Sequence, residues 1–138
     1  MPADVARLIK SAVTVKVQAG AGSNSHFSDA AYEKAGATLV SDAASLFGGA
    51  DVVLKVQPPT IAESGLIKEG ALVISFLQPV RDAAVYQALA ARKVTVLSMD
   101  LVPRTSKAQV MDALSSQAAV AGYRAAVLGA VLVWWALS

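Results

Sequence analysis

Short apolar runs rich in valine and isoleucine alternate along the chain with segments whose apolar residues have helical spacing. The runs with the composition of strands are residues 13–17, 37–40, 51–56, 71–76 and 94–99. The segments with helical spacing are residues 3–11, 28–35, 41–47, 80–92 and the chain from about 106 onward, with a shorter turn at 61–67. Strands that alternate with helices are typical of an open parallel sheet. The pattern therefore predicts a single α/β domain, doubly wound and flavodoxin-like, around a mostly parallel sheet.

Two of the apolar runs, residues 51–56 and 71–76, are continuous rather than alternating in polarity. A strand that is buried on both faces of a parallel sheet produces this pattern, because neither set of its side chains meets water. We therefore expect both faces of the sheet to be covered.

Polar side chains and glycines mark the ends of two predicted helices. Ser–Asp pairs at residues 28–29 and 41–42 precede these helices, and their side-chain oxygens can accept hydrogen bonds from the first free backbone N–H groups. Gly36 and Gly48 follow the same helices, at positions where a left-handed backbone conformation is needed.

Ligands of doubly wound folds bind beyond the carboxyl ends of the strands. The loops that occupy this edge in the predicted fold are residues 18–29, 57–60, 77–82 and 100–109. We therefore expect the functional residues in these loops.

The first of these loops contains Gly20 and Gly22 but lacks a dinucleotide-binding fingerprint. That motif needs a third glycine, a helix that opens at once and an acidic residue about 20 positions further on. The two glycines favour a tight turn over a phosphate-binding loop. His26 is the only histidine and the chain has no cysteine, so a plain loop position is favoured over metal binding or acid–base chemistry. No metal site is predicted.

Lys55 ends an apolar run, where a charged side chain is costly unless it emerges at the sheet edge or finds a partner. Two interpretations remain open from its residue type alone. The ammonium group can point into the ligand cleft, or it can hold a structural or solvated position.

Residues 103–117 are an unusually polar stretch ahead of an apolar tail. The helical spacing that begins near residue 106 places Arg104 and Gln109 in the loop and the first turn of a helix. Gln109, Asp112 and Ser115 are three positions apart and therefore share one face of that helix. This face is either a binding surface or an ordinary polar first turn.

The composition excludes some classes of function. The formal net charge of +2 arises from 12 basic and 10 acidic residues that are spread along the chain, so we predict no nucleic-acid surface. Residues 125–137 carry no charge, but this segment is shorter than the about 20 residues that span a bilayer. We expect a buried or interface helix there. We expect no signal peptide at the N terminus, because no long apolar run follows a basic stretch.

Several stretches of the chain resemble one family: "VQAGAGSNSHFSDAAYEKAGA", "DVVLKVQPP", "VTVLSMDLVPR" and above all "SKAQVMDALSSQAAVAGYRA". They are similar to the NAD-side domain of the proton-translocating NAD(P) transhydrogenases, and the resemblance extends from about Pro2 to Leu128. It implies hydride transfer between NAD(H) and NADP(H), coupled to proton translocation. This component would bind NAD(H), and a partner domain would bind NADP(H).

The resemblance also implies partners, a location and roles for single residues. The partners are the NADP(H)-binding domain and the membrane domain, with a homodimer in the intact enzyme, which lies peripherally on the cytoplasmic side of a bacterial inner membrane or the matrix side of the mitochondrial one. Arg104, Asp112 and Ser115 would contact the nicotinamide of NAD(H), and Gln109 would reach toward NADP(H). Gln109 and Asp112 are thereby the expected catalytic residues.

Alanine dehydrogenases share this type of N-terminal domain, and the resemblance to them rests on Lys55. Their substrate-binding lysine follows the same strand, and a histidine follows the next strand. Gln78 stands in the place of that histidine, and an amide cannot exchange a proton near neutral pH. Amino-acid oxidation is therefore disfavoured, and we expect Lys55 and Gln78 at the cofactor cleft of a transhydrogenase.

Both ends of the chain depart from the family pattern. The family begins earlier, with a strand that lies near the middle of the sheet, and it continues after Gly129 into a Rossmann domain. We therefore expect a sheet without the family's first strand, an atypical tail at residues 129–138, and little or no activity in the chain by itself. The alternative to a catalytic component is an inert fragment that serves as a binding or assembly module.

Overall fold

The computed structural model describes the backbone of residues 1–137 and the side chains of residues 1–135, and it shows the predicted alternation of helices and strands. The strands are β1 (Lys16–Gln18), β2 (Thr38–Val40), β3 (Val52–Leu54), β4 (Leu72–Ser75) and β5 (Thr95–Ser98). The helices are α1 (Pro2–Lys10), α2 (Asp29–Lys34), α3 (Ala43–Gly48), α4 (Ile61–Leu66), α5 (Ala83–Ala91) and α6 (Ala113–Leu137). Short 3₁₀ turns lie at Ser23–Ser25, Met99–Leu101 and Gln109–Met111. The predicted α/β class is confirmed.

The paired strands are parallel, as predicted, but they form two sheets. β1 pairs with β2, and β4 lies between β3 and β5. In the described residues no ladder joins the two groups, so the sheet is interrupted. The family resemblance places a further strand near the middle of the sheet, which agrees with a division between the β1–β2 pair and the β3–β4–β5 group.

The helix-end predictions are partly correct. Ser28 caps α2, because its hydroxyl accepts a hydrogen bond from the backbone of Ala31 at 3.3 Å, and Gly36 follows with φ +96°. Asp42 caps α3 with both carboxylate oxygens. The prediction for Gly48 is wrong: this residue is still helical, and the chain leaves α3 through a residue with φ −101°, so no left-handed conformation is needed.

The main core lies on one face of the β3–β4–β5 sheet, under α3, α4 and α5. Its largest fully buried side chains come from the strand β4 and from segments next to the helices, and they include Ile67, Val73, Leu77 and Leu89. A smaller core beside β1 and β2 contains Val5, Tyr32 and Ala37.

The prediction that residues 51–56 are covered on both faces is wrong. Val53 is 7% exposed, whereas Leu54 is 62% exposed. Successive side chains of a strand point to opposite faces, and in the described residues α3, α4 and α5 all pack on the side of Val53.

The C-terminal helix differs from the prediction in its start and in its burial. It begins at Ala113 rather than near residue 106, because the preceding residues form a separate 3₁₀ turn and Asp112 caps the α-helix. None of the stretch Ala113–Trp135 is buried, so the expected buried helix is not observed. By length and composition alone this helix is long and apolar enough to cross a membrane.

Candidate functional site

Two adjoining clefts lie at the carboxyl edge of the β3–β4–β5 sheet, where the sequence predicted a site. The larger has a volume of about 610 Å³, and its polar lining consists of Gln78, Asp100, Arg104, Asp112 and Gln117. The smaller has a volume of about 210 Å³, and its polar lining consists of Gln57, Gln78, Arg81, Asp82 and Asp100. Phe76, Gln78 and Asp100 line both clefts. The larger volume is in the usual range of small-molecule sites.

The loop after β4 carries Gln78 and is held firmly on both sides. Leu77 is fully buried, and its carbonyl accepts hydrogen bonds from the hydroxyls of Tyr86 and Ser98. The backbone N–H of Gln78 donates to Asp82 at 2.9 Å. These contacts fix the backbone of Gln78 at the edge of both clefts.

The segment between β5 and α6 forms one wall of the larger cleft. It follows the sheet edge through the 3₁₀ turn Met99–Leu101, and Arg104 comes after it. A backbone hydrogen bond of 3.0 Å from Ala108 to Thr105 closes the next turn. Ala108 is only 6% exposed and anchors this otherwise exposed segment.

Asp112 combines a place in the cleft lining with a structural role at the start of α6. Its Oδ1 accepts hydrogen bonds from the backbone of Leu114 at 3.1 Å and of Ser115 at 3.2 Å, and its Oδ2 accepts one from the Ser115 hydroxyl. Hydrogen bonds from the Ser115 hydroxyl and then from its backbone lower the pKa of Asp112, slight desolvation opposes them, and Leu114 and the charge of Arg104 add to the lowering. The carboxylate is therefore ionised at neutral pH, close to a guanidinium.

The structure brings only some of the predicted site residues together. Arg104, Asp112 and Gln78 line the larger cleft. Ser115 contacts it through Asp112, and Gln109 is exposed in its own 3₁₀ turn. The prediction that Gln109, Asp112 and Ser115 share one helix face is wrong, because the helix starts only after Asp112.

Lys55 has a partner outside the lining of either cleft. Its Nζ lies 2.7 and 2.6 Å from the two carboxylate oxygens of Glu63, and Glu63 also forms a capping box with Thr60 at the start of α4. Partial burial acts to raise the pKa of Glu63, but hydrogen bonds from Lys55 and Thr60 leave it below the usual value. This geometry favours the structural interpretation of Lys55. Its role in cofactor binding stays a prediction.

The glycine-rich loop after β1 is a tight turn, as predicted. The backbone N–H of Gly20 donates to both carboxylate oxygens of Asp29, at 2.9 and 3.1 Å, so the carboxylate already takes a donor that a phosphate would need. A Cβ atom on Gly22 would lie 2.5 Å from the carbonyl oxygen of Phe27, which explains the absence of a side chain. His26 is exposed, and its φ of 59° is left-handed.

Sequence reasoning missed Asp100, Gln117 and Arg81 as cleft residues. Asp100 and Arg81 lie in loops that the strand-end rule had selected, so their charge and position after β5 and β4 were a usable signal. Gln117 lies more than one turn inside α6, and no local pattern distinguishes it from a solvated helix residue.

Comparison with known proteins finds similarity over most of the chain. Residues 1–121 match the family described as alanine dehydrogenase/PNT, N-terminal domain. An NAD(P) transhydrogenase alpha subunit of Rhodospirillum rubrum is 46% identical over 134 residues, which cover 94% of this chain and 35% of that protein. Alanine dehydrogenase of Mycobacterium tuberculosis is 36% identical over 129 residues, which cover 94% of this chain and 34% of that protein.

A solved structure of transhydrogenase from Sinorhizobium meliloti is similar in fold, with a TM-score of 0.86 and 40% identity over 92% of this chain and 38% of that one. The chain thus spans about a third of the length of the two curated relatives it matches here. Both the transhydrogenase and the alanine dehydrogenase branches that the sequence suggested are represented among these proteins.

Proposed function

Since the chain belongs to the alanine dehydrogenase/PNT N-terminal domain family, we propose that it is the N-terminal portion of the NAD(H)-binding component of a proton-translocating NAD(P) transhydrogenase. The observation that supports this proposal is the cleft at the carboxyl edge of the parallel sheet, which gathers Arg104, Asp112 and Gln78 in a chain 46% identical to a transhydrogenase subunit. In the complete enzyme, hydride transfer between NAD(H) and NADP(H) is coupled to proton translocation.

The polar groups of the larger cleft fit the nicotinamide end of NAD(H). A carboxamide has an acceptor oxygen and a donor nitrogen, so it needs donors and acceptors in one place. The guanidinium of Arg104 supplies donors, and the ionised carboxylate of Asp112 supplies acceptors. The cofactor itself provides the hydride, and the protein provides binding and orientation. Ser115 holds the carboxylate of Asp112 in place through its hydroxyl.

Gln109 is proposed to act between the two cofactors. It is exposed in the 3₁₀ turn that separates Arg104 from Asp112, so its amide is accessible to NADP(H) held by a separate domain. The partners of the chain are then an NADP(H)-binding domain and a membrane domain. The component is a homodimer in the intact enzyme and lies peripherally on the cytoplasmic or matrix side of the membrane.

A binding or assembly role without catalysis is the second candidate. The observation in its favour is that the chain spans 35% of the Rhodospirillum rubrum subunit, and the Rossmann half that the family supplies lies outside the region matched. A single wall of a cleft buries little of a dinucleotide. We therefore expect the isolated chain to bind NADH only weakly. Calorimetric titration measures this, and a micromolar dissociation constant would contradict it.

A chimera separates the two candidates. Residues 2–128 of this chain replace the matching segment of the Rhodospirillum rubrum subunit, and reduction of NADP⁺ by NADH is measured with its partner subunits. A catalytic component keeps the transfer activity and loses it with Arg104→Ala, whereas Val80→Ala, at a 96% exposed position outside both clefts, changes nothing. A folded chimera that binds NADH without transferring hydride would support the binding module. Oxidation of alanine by the chimera would instead identify an alanine dehydrogenase.

A further inference from the structure

One face of the β3–β4–β5 sheet is apolar and has no covering layer in the described residues. Its apolar residues lie side by side in the register of the three strands, and we call them the open sheet face: Val52, Leu54, Leu72, Ile74 and Leu97. Leu54 is 62% exposed and Leu97 is 51% exposed. Val53, whose side chain points to the other face, is 7% exposed.

This arrangement is unusual for a parallel sheet. All-parallel sheets occur almost only with both faces covered, and the continuous apolar sequence of residues 51–56 is typical of such double burial. A contiguous apolar surface that stays uncovered marks an interaction site. The strand sequences therefore call for a second layer that the described chain does not place there.

The C-terminal helix has the complementary property. The segment of α6 from Ala125 to Trp135, which we call the tail half of α6, carries no charge and is exposed throughout. Val127, Val131 and Trp134 follow a spacing of four and three residues, so they form one stripe. Their exposed fractions are 45%, 56% and 73%.

We propose that the open sheet face binds the tail half of α6 from a second copy of this chain, so that two copies form a reciprocal dimer. Each copy offers one apolar sheet face and one apolar helix. A two-fold axis brings each helix onto the sheet of the other copy, which is the self-complementary contact of most homodimers. This inference is independent of the proposed function.

The two surfaces match in size. Three strands are about 14 Å wide, and strands of three to four residues are about 10–13 Å long. A helix is about 10 Å across, and the tail half of α6 is about 16 Å long. One helix therefore covers one face. The reciprocal contact doubles the buried area, which brings it toward the about 1,600 Å² of a stable interface.

A second copy fits better than the helix of the same chain. The first turn of α6 is fixed at the larger cleft, where Asp112 caps it and Ala113 and Leu114 line the wall. From Leu114 to Trp135 the helix is exposed on every side, so it leaves its own body. It would have to bend sharply to reach its own sheet, and a second copy requires no such change.

A protein surface also fits better than a lipid bilayer. Arg124 lies at the middle of α6, where a charge is costly at the centre of a membrane. The uncharged stretch beyond it is shorter than the about 20 residues that a span requires. Insertion of α6 into a bilayer would also leave the open sheet face uncovered.

Sedimentation of the complete chain between about 1 and 100 µM tests the proposal. We expect reversible dimerisation in this range. Leu54→Glu on the sheet and Val131→Glu on the helix should each weaken it by at least about tenfold, because each buries an unpaired charge. Val80→Glu, at a 96% exposed position, is the matched control and should dimerise like the unchanged chain. Circular dichroism confirms that each variant is folded.

Mixing the two variants gives a sharper result. The Leu54→Glu chain keeps a normal helix and the Val131→Glu chain keeps a normal sheet, so the mixture can form one of the two contacts. We expect heterodimers in the mixture at concentrations where each variant alone is monomeric. A contact between other surfaces would give no such rescue.

Cysteine pairing identifies the surfaces directly, because the chain has no cysteine of its own. The double variant Leu54→Cys and Val131→Cys should oxidise to a covalent dimer, whereas Val80→Cys with Val131→Cys should not. An internal disulfide in a monomer would overturn the proposal in favour of docking within one chain. Flotation with vesicles of phosphatidylcholine and phosphatidylglycerol, together with a monomer in solution, would overturn it in favour of a membrane. A monomer that does not float would also overturn it.

Discussion

Val53 and Leu54 are neighbours in the same strand, have similar apolar side chains, and differ almost completely in burial: 7% and 62% exposed. Val53 faces α3, α4 and α5, whereas Leu54 faces the side of the sheet that no described element covers. The comparison shows that an apolar residue is buried only where a second element meets it. The covered face therefore holds the fold together, and the open face is available for association.

The largest expected effect contrasts the two faces by truncation. Leu89 is fully buried on the covered side, so Leu89→Ala should lower the free energy of unfolding by about 2–5 kcal/mol. Leu54→Ala on the open sheet face should change it by less than about 1 kcal/mol. Urea unfolding at concentrations below dimer formation measures both. Equal losses would mean that the open sheet face is covered within a single chain.

Gln109 tests whether an exposed residue can matter for function without contributing to stability. In the chimera with the complete subunit, Gln109→Asn shortens the amide by one methylene and should lower the single-turnover hydride-transfer rate by about 100-fold, because a misplacement near 1 Å has that effect. NADH affinity should change little, as expected for an interaction made at the transition state. A rate within about twofold of the unchanged chimera would show that Gln109 is an ordinary surface residue.

Glu63 sharpens the comparison on the covered side, where polar groups are paired. Glu63→Ala removes both the partner of Lys55 and the capping box with Thr60, so it should cost about 1–2 kcal/mol in the free energy of unfolding. Lys68→Ala breaks the exposed pair with Asp51 and should cost less than about 1 kcal/mol.

The pH dependence of this pair follows from the lowered pKa of Glu63. Its contribution is present above the unfolded value of about 4.3 and is lost as the pH falls through the lower pKa of the folded protein. Glu63→Gln should flatten this region of the stability profile. A profile that is unchanged by this substitution would contradict the role of the ion pair.

The smallest expected effect lies at the start of α6, on the exposed side of the comparison. Asp112→Ala removes the cap and should fray the first turn of the helix, whereas Asp112→Asn keeps an acceptor and should preserve it. The lowered pKa of Asp112 means that the cap is present above pH about 4 and is lost as the pH falls through the folded value. Helix content from circular dichroism between pH 7 and 3 measures this, and equal behaviour of both variants would show that the cap is dispensable.

The candidate site was predictable in part. The strand-end rule located the loops that form the clefts, and Arg104, Asp112 and Gln78 indeed line the larger one. The rule did not predict that α6 starts only at Ala113, because Asp112 is equally compatible with a helix face and with a cap. It also missed Gln117, which reaches the cleft only through the direction of α6.

The sequence by itself determined the features that depend on a few neighbouring residues. These are the alternation of strands and helices, the cap at Ser28, the left-handed Gly36 and the tight turn at Gly20 and Gly22. Backbone conformation and capping hydrogen bonds act over a few positions along the chain, so a local pattern is sufficient to predict them.

Only the tertiary structure decided which apolar surfaces are covered and which charged groups are paired. The division into two sheets, the exposure of Leu54 and the pairing of Lys55 with Glu63 depend on elements that are far apart or separately oriented. Burial is a property of two surfaces that meet, and the free energy that it contributes depends on the area removed from water. No stretch of sequence states which surface it will meet, and the open sheet face is the clearest case in this chain.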